Sequence, residues 1–177
     1  MKKLEKLKVL VIGETIIDQY HYCLPMGRSA KESIVPFKFT REEEFAGGVL
    51  ACANHTAGFV KEVRMLSCLG FENSREDFIV KHLKPRVSPK FVYTDNAPTI
   101  VKRRYVWEPF LSKLFGVAFL DDRPIPEKTE KQMLAFLDKE LPKYDVVIVT
   151  DYGHGLFTDK IVQKLTQKSK FLAINTQ

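Results

Sequence analysis

The sequence predicts an α/β fold in which a parallel sheet is covered by helices on both faces and a second, small sheet stands off it. Three observations carry this. Val9 to Ile12 and Val146 to Val149 are unbroken apolar runs rich in β-branched residues, as expected of strands buried on both faces. Helical patterns lie between such runs, and that alternation is the signature of a parallel sheet. Two stretches rich in β-branched and aromatic residues, about 19–39 and 91–120, break the alternation and supply the small sheet.

Taken in order, the run Val9 to Ile12 ends at Gly13 as a first buried strand. From Gln19 to Phe39, Tyr20, Tyr22, Ile34, Val35, Phe37 and Phe39 sit in short extended pieces broken by Pro25, Gly27 and Pro36, which suits one or two exposed strands. Gly47 to Val60 is small and apolar and reads as a buried helix opened by two glycines. Val63 to Leu69 returns as a strand and Arg75 to Leu83 as a short helix. Phe91 to Tyr93, Thr99 to Trp107 and Leu114 to Leu120 form the second β-rich block. Pro126 and Glu127 then open a helix with Met133, Leu134, Leu137 and Leu141 on one face. After Val146 to Val149, Thr158 caps a helix carrying Ile161, Val162 and Leu165, and Phe171 to Ile174 closes as a strand.

The 177 residues suit one domain with a real core, and 45% apolar with 28% charged residues is ordinary for a globular protein. No run approaches the roughly 18 apolar residues of a membrane span. Met1-Lys2-Lys3-Leu4-Glu5-Lys6 is basic like a signal n-region, but a short β-like run follows with no small-residue cleavage site, so export is not expected. Cys23, Cys52 and Cys68 are odd in number and lack metal or redox spacing; they read as buried thiols in a reducing compartment, and the expected location is the cytoplasm. A formal charge of +6 invites a nucleic-acid partner. Most lysines, however, are scattered singly, and the one tight cluster, Lys102-Arg103-Arg104, suits an anionic small substrate equally well.

Four constellations could carry chemistry. Gly13-Glu14-Thr15-Ile16-Ile17-Asp18 leaves the first strand and places Asp18 near its carboxyl end, where a carboxylate either caps a turn or grips two neighbouring hydroxyls. Gly47 and Gly48 precede a helix, where backbone N–H groups can approach a ligand or simply serve turn geometry. Lys102 and Arg104 alternate onto one face of a strand, with Arg103 on the other; that face is either a wet, charge-protected edge or a seat for an anion. Asp151, ahead of Gly153-His154-Gly155, shares a rim with Asp18 if their strands run parallel, and His154 reads as a surface imidazole. His55 has no carboxylate at a helical spacing to orient it as a base. Zinc spacing, a Walker A loop, Gly-x-Ser-x-Gly and a complete dinucleotide fingerprint are all missing from the sequence.

In this order the segments resemble the amino-terminal half of the ribokinase-like (PfkB) carbohydrate kinases, and most of all their heptose phosphate kinase branch. The matching stretches are Val9-Leu10-Val11-Ile12-Gly13 with Asp18, Ala46-Gly47-Gly48, Pro98-Thr99-x-x-Lys102-x-Arg104, and Tyr144-Asp145-x-x-x-x-x-Asp151-Tyr152-Gly153-x-Gly155. The resemblance implies a doubly wound parallel sheet over residues 1–177 with a β-sheet lid from the two β-rich blocks. It assigns sugar binding to Asp18, Gly47 and Gly48, and contact with a sugar phosphate to Lys102 and Arg104; Asp151 joins them as a substrate-binding candidate. It also implies a homodimer paired through the lid, and ATP with magnesium as cofactors of the complete enzyme, with none expected in this chain. The catalytic base and nucleotide pocket of the family would lie beyond Gln177, so the isolated chain is expected to be inactive. The remaining readings are a non-catalytic sugar-phosphate-binding or dimerisation module and a basic nucleic-acid-binding domain. The chain departs from the family at Ala51, where an asparagine is common and Asn54 follows one turn later, and at Asn175-Thr176-Gln177, where relatives often read Asp-Pro-Lys.

Overall fold

A computed structural model describes residues 4–28, 31–95 and 97–177, so the basic start Met1–Lys3 lies outside the described residues. Nine strands and four α-helices are described: β1 Lys8–Gly13, β2 Thr15–Pro25, β3 Phe37–Gly48, α1 Val49–Thr56, β4 Glu62–Gly70, α2 Glu76–His82, β5 Val87–Thr94, β6 Ile100–Trp107, β7 Ser112–Phe119, α3 Glu127–Glu140, β8 Val146–Asp151, α4 Asp159–Lys168 and β9 Leu172–Thr176. They form two sheets. The body sheet has the order β5-β4-β1-β8-β9 with every pairing parallel. The lid sheet has the order β3-β2-β6-β7, with β2 and β6 parallel and both outer pairings antiparallel.

The body is wound on both faces, and the side-chain alternation of β1 shows how. Val9 and Val11 face one way and pack with Leu50 and Ala53 of α1 and Ile79 of α2. Leu10 and Ile12 face the other way, against Met133 and Leu137 of α3 and Ile161 and Leu165 of α4. A strand with this double duty has no solvent face, which is why its sequence shows no polar alternation. At the start of α4 the Thr158 hydroxyl accepts the Ile161 N–H, a cap worth about 1 kcal/mol. Strand order runs outward from β1 in both directions, so the reversal point lies between β1 and β8, where open α/β sheets leave a crevice at the strands' carboxyl ends.

Several boundaries differ from the sequence expectation. Residues 91–94 belong to β5 of the body and not to the lid, because Phe91 and Val92 pair in register with Ser67 and Cys68 of β4 and bury against the two cores. The lid starts at Thr15, after a crossing of a single residue, so Asp18 lies inside a lid strand instead of in a loop after β1. Gly47 and Gly48 end β3 and do not belong to the helix; α1 begins at Val49. Leu141 falls in a 3-10 turn after α3 but stays buried, whereas Val162, expected on the apolar face of α4, is 43% exposed.

Candidate functional site

Four passages connect body and lid: Glu14 between β1 and β2, the direct step from Gly48 of β3 to Val49 of α1, the segment from β5 to β6, and residues 120–126 between β7 and α3. They bring the lid over the carboxyl ends of β1 and β8, and most of the expected site residues gather there.

Asp18 sits on β2 with Tyr20 and Tyr22 on the same face, and these three with Phe45 line a depression of about 400 Å³. Gly47 lies against it: a Cβ there would fall well inside 3.0 Å of Asp18 Oδ2, so only glycine lets the carboxylate stand where it does. Gly48 has φ 56° and meets the Glu14 carbonyl equally closely, so a side chain is excluded on two counts. On β6, Lys102 is opposite Asp18 and Arg104 is opposite Tyr20. The Arg104 guanidinium donates to Asp18 Oδ1 and lies 5.4 Å from the centre of the Tyr20 ring. The two cations therefore sit side by side with only one of them, Arg104, neutralised by Asp18. Among the described residues Lys102 has no carboxylate within ion-pair distance.

Arg103 turns to the opposite face, as alternation requires. Its Nε donates to Gln19 Oε1, Gln19 donates to Glu44, and Glu44 takes two bonds of 2.7 Å from Arg75 of the body. Burial pushes the Glu44 carboxyl up, but the bonds from Gln19 and Arg75 outweigh it and hold the group below the usual carboxylate range. This chain of contacts ties lid to body on the side away from Asp18.

Glu14 is the residue that sequence reasoning missed. It is 4% exposed, and its carboxylate accepts the backbone N–H groups of Tyr152 (2.9 Å) and His154 (3.2 Å). Burial holds its carboxyl above the usual range, those two amides pull it back in part, and nearby Asp151 adds to the rise. The available signal was an acid directly after the glycine that ends a buried strand. Through Glu14 the loop carrying Asp151 is fixed to the first crossing into the lid. Asp151 itself accepts the Gly153 N–H at 2.9 Å and the Thr176 hydroxyl at 3.3 Å. Burial raises the Tyr152 phenol, and the charges of Glu14 and Asp18 add to the rise. Asp18, Gly47, Gly48, Lys102 and Arg104 thus share one rim, with the loop that carries Asp151 held to the first crossing by Glu14.

Two histidine and asparagine expectations resolve differently. His154 is not a surface imidazole; its side chain is 12% exposed and Nδ1 lies 2.8 Å from Asp122 Oδ1, because the flanking glycines fold the loop inward under residues 121–126. Asn54, one turn past the family's asparagine position, is structural: it donates to His82 O and accepts from Lys84 N, both at 2.8 Å. His55 is exposed and packs edge-on to Phe59. Among the described residues no three His, Cys, Asp or Glu side chains are grouped to hold a metal ion. No helix among them is long and apolar enough to cross a membrane.

No protein-family model matches the chain. It is similar to the bifunctional protein HldE of Vibrio cholerae, 30% identical over 167 residues that make up 93% of this chain and 33% of that protein. The HldE of Hyphomonas neptunium is 27% identical over 169 residues, 94% of this chain and 34% of the relative. The chain thus spans about a third of the length of the curated relatives it matches. Among solved structures, ribokinase from Giardia lamblia superposes with a TM-score of 0.62 at 16% identity, covering 97% of this chain and 55% of the other. Ribokinase from Thermotoga maritima gives 0.62 at 16% identity, covering 95% and 52%. These two likenesses establish the fold: a parallel α/β sheet carrying a second small sheet.

Proposed function

We propose, for a chain that belongs to the ribokinase-like (PfkB) carbohydrate kinases and stands with their heptose phosphate branch, that the rim between lid and body binds a phosphorylated sugar. The observation that carries the reading is the unpaired Lys102 next to the Arg104–Asp18 pair, above a backbone kept bare by Gly47. A phosphate takes Lys102 and Arg104 as charge-assisted partners. Asp18, released from Arg104, then accepts from neighbouring sugar hydroxyls, while Gly47 and Gly48 let the sugar lie against the main chain. Asp151 stands at the end of β8 as a further hydroxyl acceptor.

In the complete enzyme this part orients a sugar hydroxyl for phosphoryl transfer from ATP with magnesium, a reaction governed by positioning and charge neutralisation. No base or anion hole is assigned to any residue of this chain, so it binds the sugar and does not by itself transfer phosphate. Two copies pair through the lid, where Leu114, Phe115, Val117 and Phe119 of β7 are exposed. Three free thiols, with burial pushing Cys68 up to about 12, fit a reducing cytoplasm.

Calorimetric titration of the 177-residue chain tests the reading. A sugar phosphate binds, ATP does not, and Asp18→Ala removes sugar binding. Tight ATP binding, or binding of the sugar phosphate unchanged by Asp18→Ala, overturns it.

A further inference from the structure

Strand pairing sets three side chains in a row across one face of the lid. Asp18 stands on β2, Phe45 is opposite it on β3, and Lys102 is opposite it on β6. Residues paired in this way share a face of the sheet. Neighbouring strands lie about 4.8 Å apart, so the row runs roughly 10 Å from an apolar ring, through an acid, to a cation.

The aromatic end of the row is open. Asp18, Tyr20, Tyr22 and Phe45 line the depression of about 400 Å³, a volume in the range of small-molecule clefts. Tyr22 is already committed: Arg41 lies over its ring at 3.6 Å, and its hydroxyl donates to Glu43. Tyr20 has Arg104 at 5.4 Å from its ring centre. Among the described residues no cation stands over Phe45, which meets Tyr20 with ring planes 82° apart and is 51% exposed. On its own strand the same face continues as Glu43, taken by Tyr22 and Arg41, and as Gly47, which has no side chain to cover the ring.

We propose that Phe45 determines specificity at the rim by stacking on the C–H face of a sugar in its ring form. The inference rests on the sugar-phosphate reading of the rim. The substrate lies across the strands, its ring on Phe45, its hydroxyls at Asp18 and its phosphate at Lys102, a span that a sugar ring and a phosphate on an exocyclic carbon cover. The negative face of an aromatic ring attracts the sugar's C–H hydrogens, and the contact removes apolar surface of both from water. An open-chain sugar alcohol phosphate offers the same hydroxyls and phosphate but no flat C–H face, and it loses more freedom on binding.

The test titrates the 177-residue chain with glucose 6-phosphate, with its open-chain counterpart glucitol 6-phosphate, and with inorganic phosphate. Calorimetry gives affinities, and proton NMR follows the ligand. Ring protons of glucose 6-phosphate are expected to move upfield on binding, under the ring current of Phe45. Phe45→Leu keeps the apolar bulk without the aromatic face; it should abolish that shift and weaken glucose 6-phosphate about fivefold, leaving the other two ligands unchanged. Phe45→Tyr should restore both. If Phe45→Leu does not fold, the ring-proton shift on the unaltered chain and on Phe45→Tyr decides alone. Inorganic phosphate held through Lys102, with glucose 6-phosphate indifferent to Phe45→Leu or its ring protons unmoved, overturns the stacking and leaves the rim reading intact. Equal weakening of the ring and open-chain phosphates also overturns it. Failure of all three ligands to bind removes the rim reading and this inference together.

Discussion

Lys102 stands opposite Asp18 in the parallel pairing of β6 with β2, yet the Asp18 carboxylate is held by Arg104, two residues further along the strand. One acid thus neutralises one of two neighbouring cations and leaves the other available. Around these three side chains the two cations outnumber the one acid, which is where the proposed phosphate would sit.

Replacing the free cation should therefore separate phosphate recognition from sugar recognition. Lys102→Ala is expected to weaken binding of a sugar phosphate about tenfold, or about 1.4 kcal/mol, with no change for the unphosphorylated sugar. Arg104→Ala should also weaken the phosphate, but the freed Asp18 keeps or gains affinity for the neutral sugar. Calorimetry on the two variants with both ligands reads the difference.

The two glycines should fail in different ways. A methyl group at Gly47 meets the Asp18 carboxylate, so Gly47→Ala moves the ligand group and should abolish sugar binding at an overpacking cost of about 1–3 kcal/mol. At Gly48 the collision is with the Glu14 backbone and φ is 56°, so neither contact nor conformation can relax. Gly48→Ala should lower stability by more than Gly47→Ala. Urea denaturation midpoints rank them.

Glu14 gives the chain an unusual acid response. Its folded value is raised above the ordinary 4.5, so the folded chain holds that proton more tightly than the unfolded one. The stability it contributes is complete below about pH 4.5 and is lost as pH climbs through the raised value. Glu44 and Glu130, whose values are lowered, act in the opposite sense and lose their contribution as pH falls. Glu14→Gln should cost about 1–3 kcal/mol at neutral pH, since one amide loses its acceptor. The difference between wild type and variant, followed by urea denaturation from pH 4 to 7 in steps of about one unit, isolates the Glu14 slope.

The proposed pairing of two copies through the lid rests on β7, where Phe115 is 53% exposed and stacks on Tyr105 at 4.5 Å. Phe115→Lys combined with Val117→Lys should weaken self-association at least tenfold without altering sugar-phosphate affinity per chain. Sedimentation equilibrium measures the first and calorimetry the second.

The parts of this fold that depend on local pattern were legible in the sequence. β1 and β8 announce themselves because strands buried on both faces need no polar residues, and the alternation of Lys102, Arg103 and Arg104 gave their faces correctly. What escaped depends on distant partners. Phe91-Val92-Tyr93 has the composition of a lid strand, and only its pairing with β4 assigns it to the body. The passage at Glu14 is one residue long, and buried Ile16 and Ile17 continue the apolar run across it, so no break marks the change of sheet. His154 meets Asp122 across 32 residues of chain, and the glycines flanking the histidine suggested exposure. The Arg104–Asp18 bond, formed between two strands far apart in sequence, was not legible from spacing.

Two of the lid's strands enter and leave at nearly one point: the Val49 N–H, where β3 gives way to α1, donates to the Glu14 carbonyl at 2.9 Å. β2 and β3 cannot splay apart at their base without breaking that hydrogen bond, so the body holds the root of the small sheet closed.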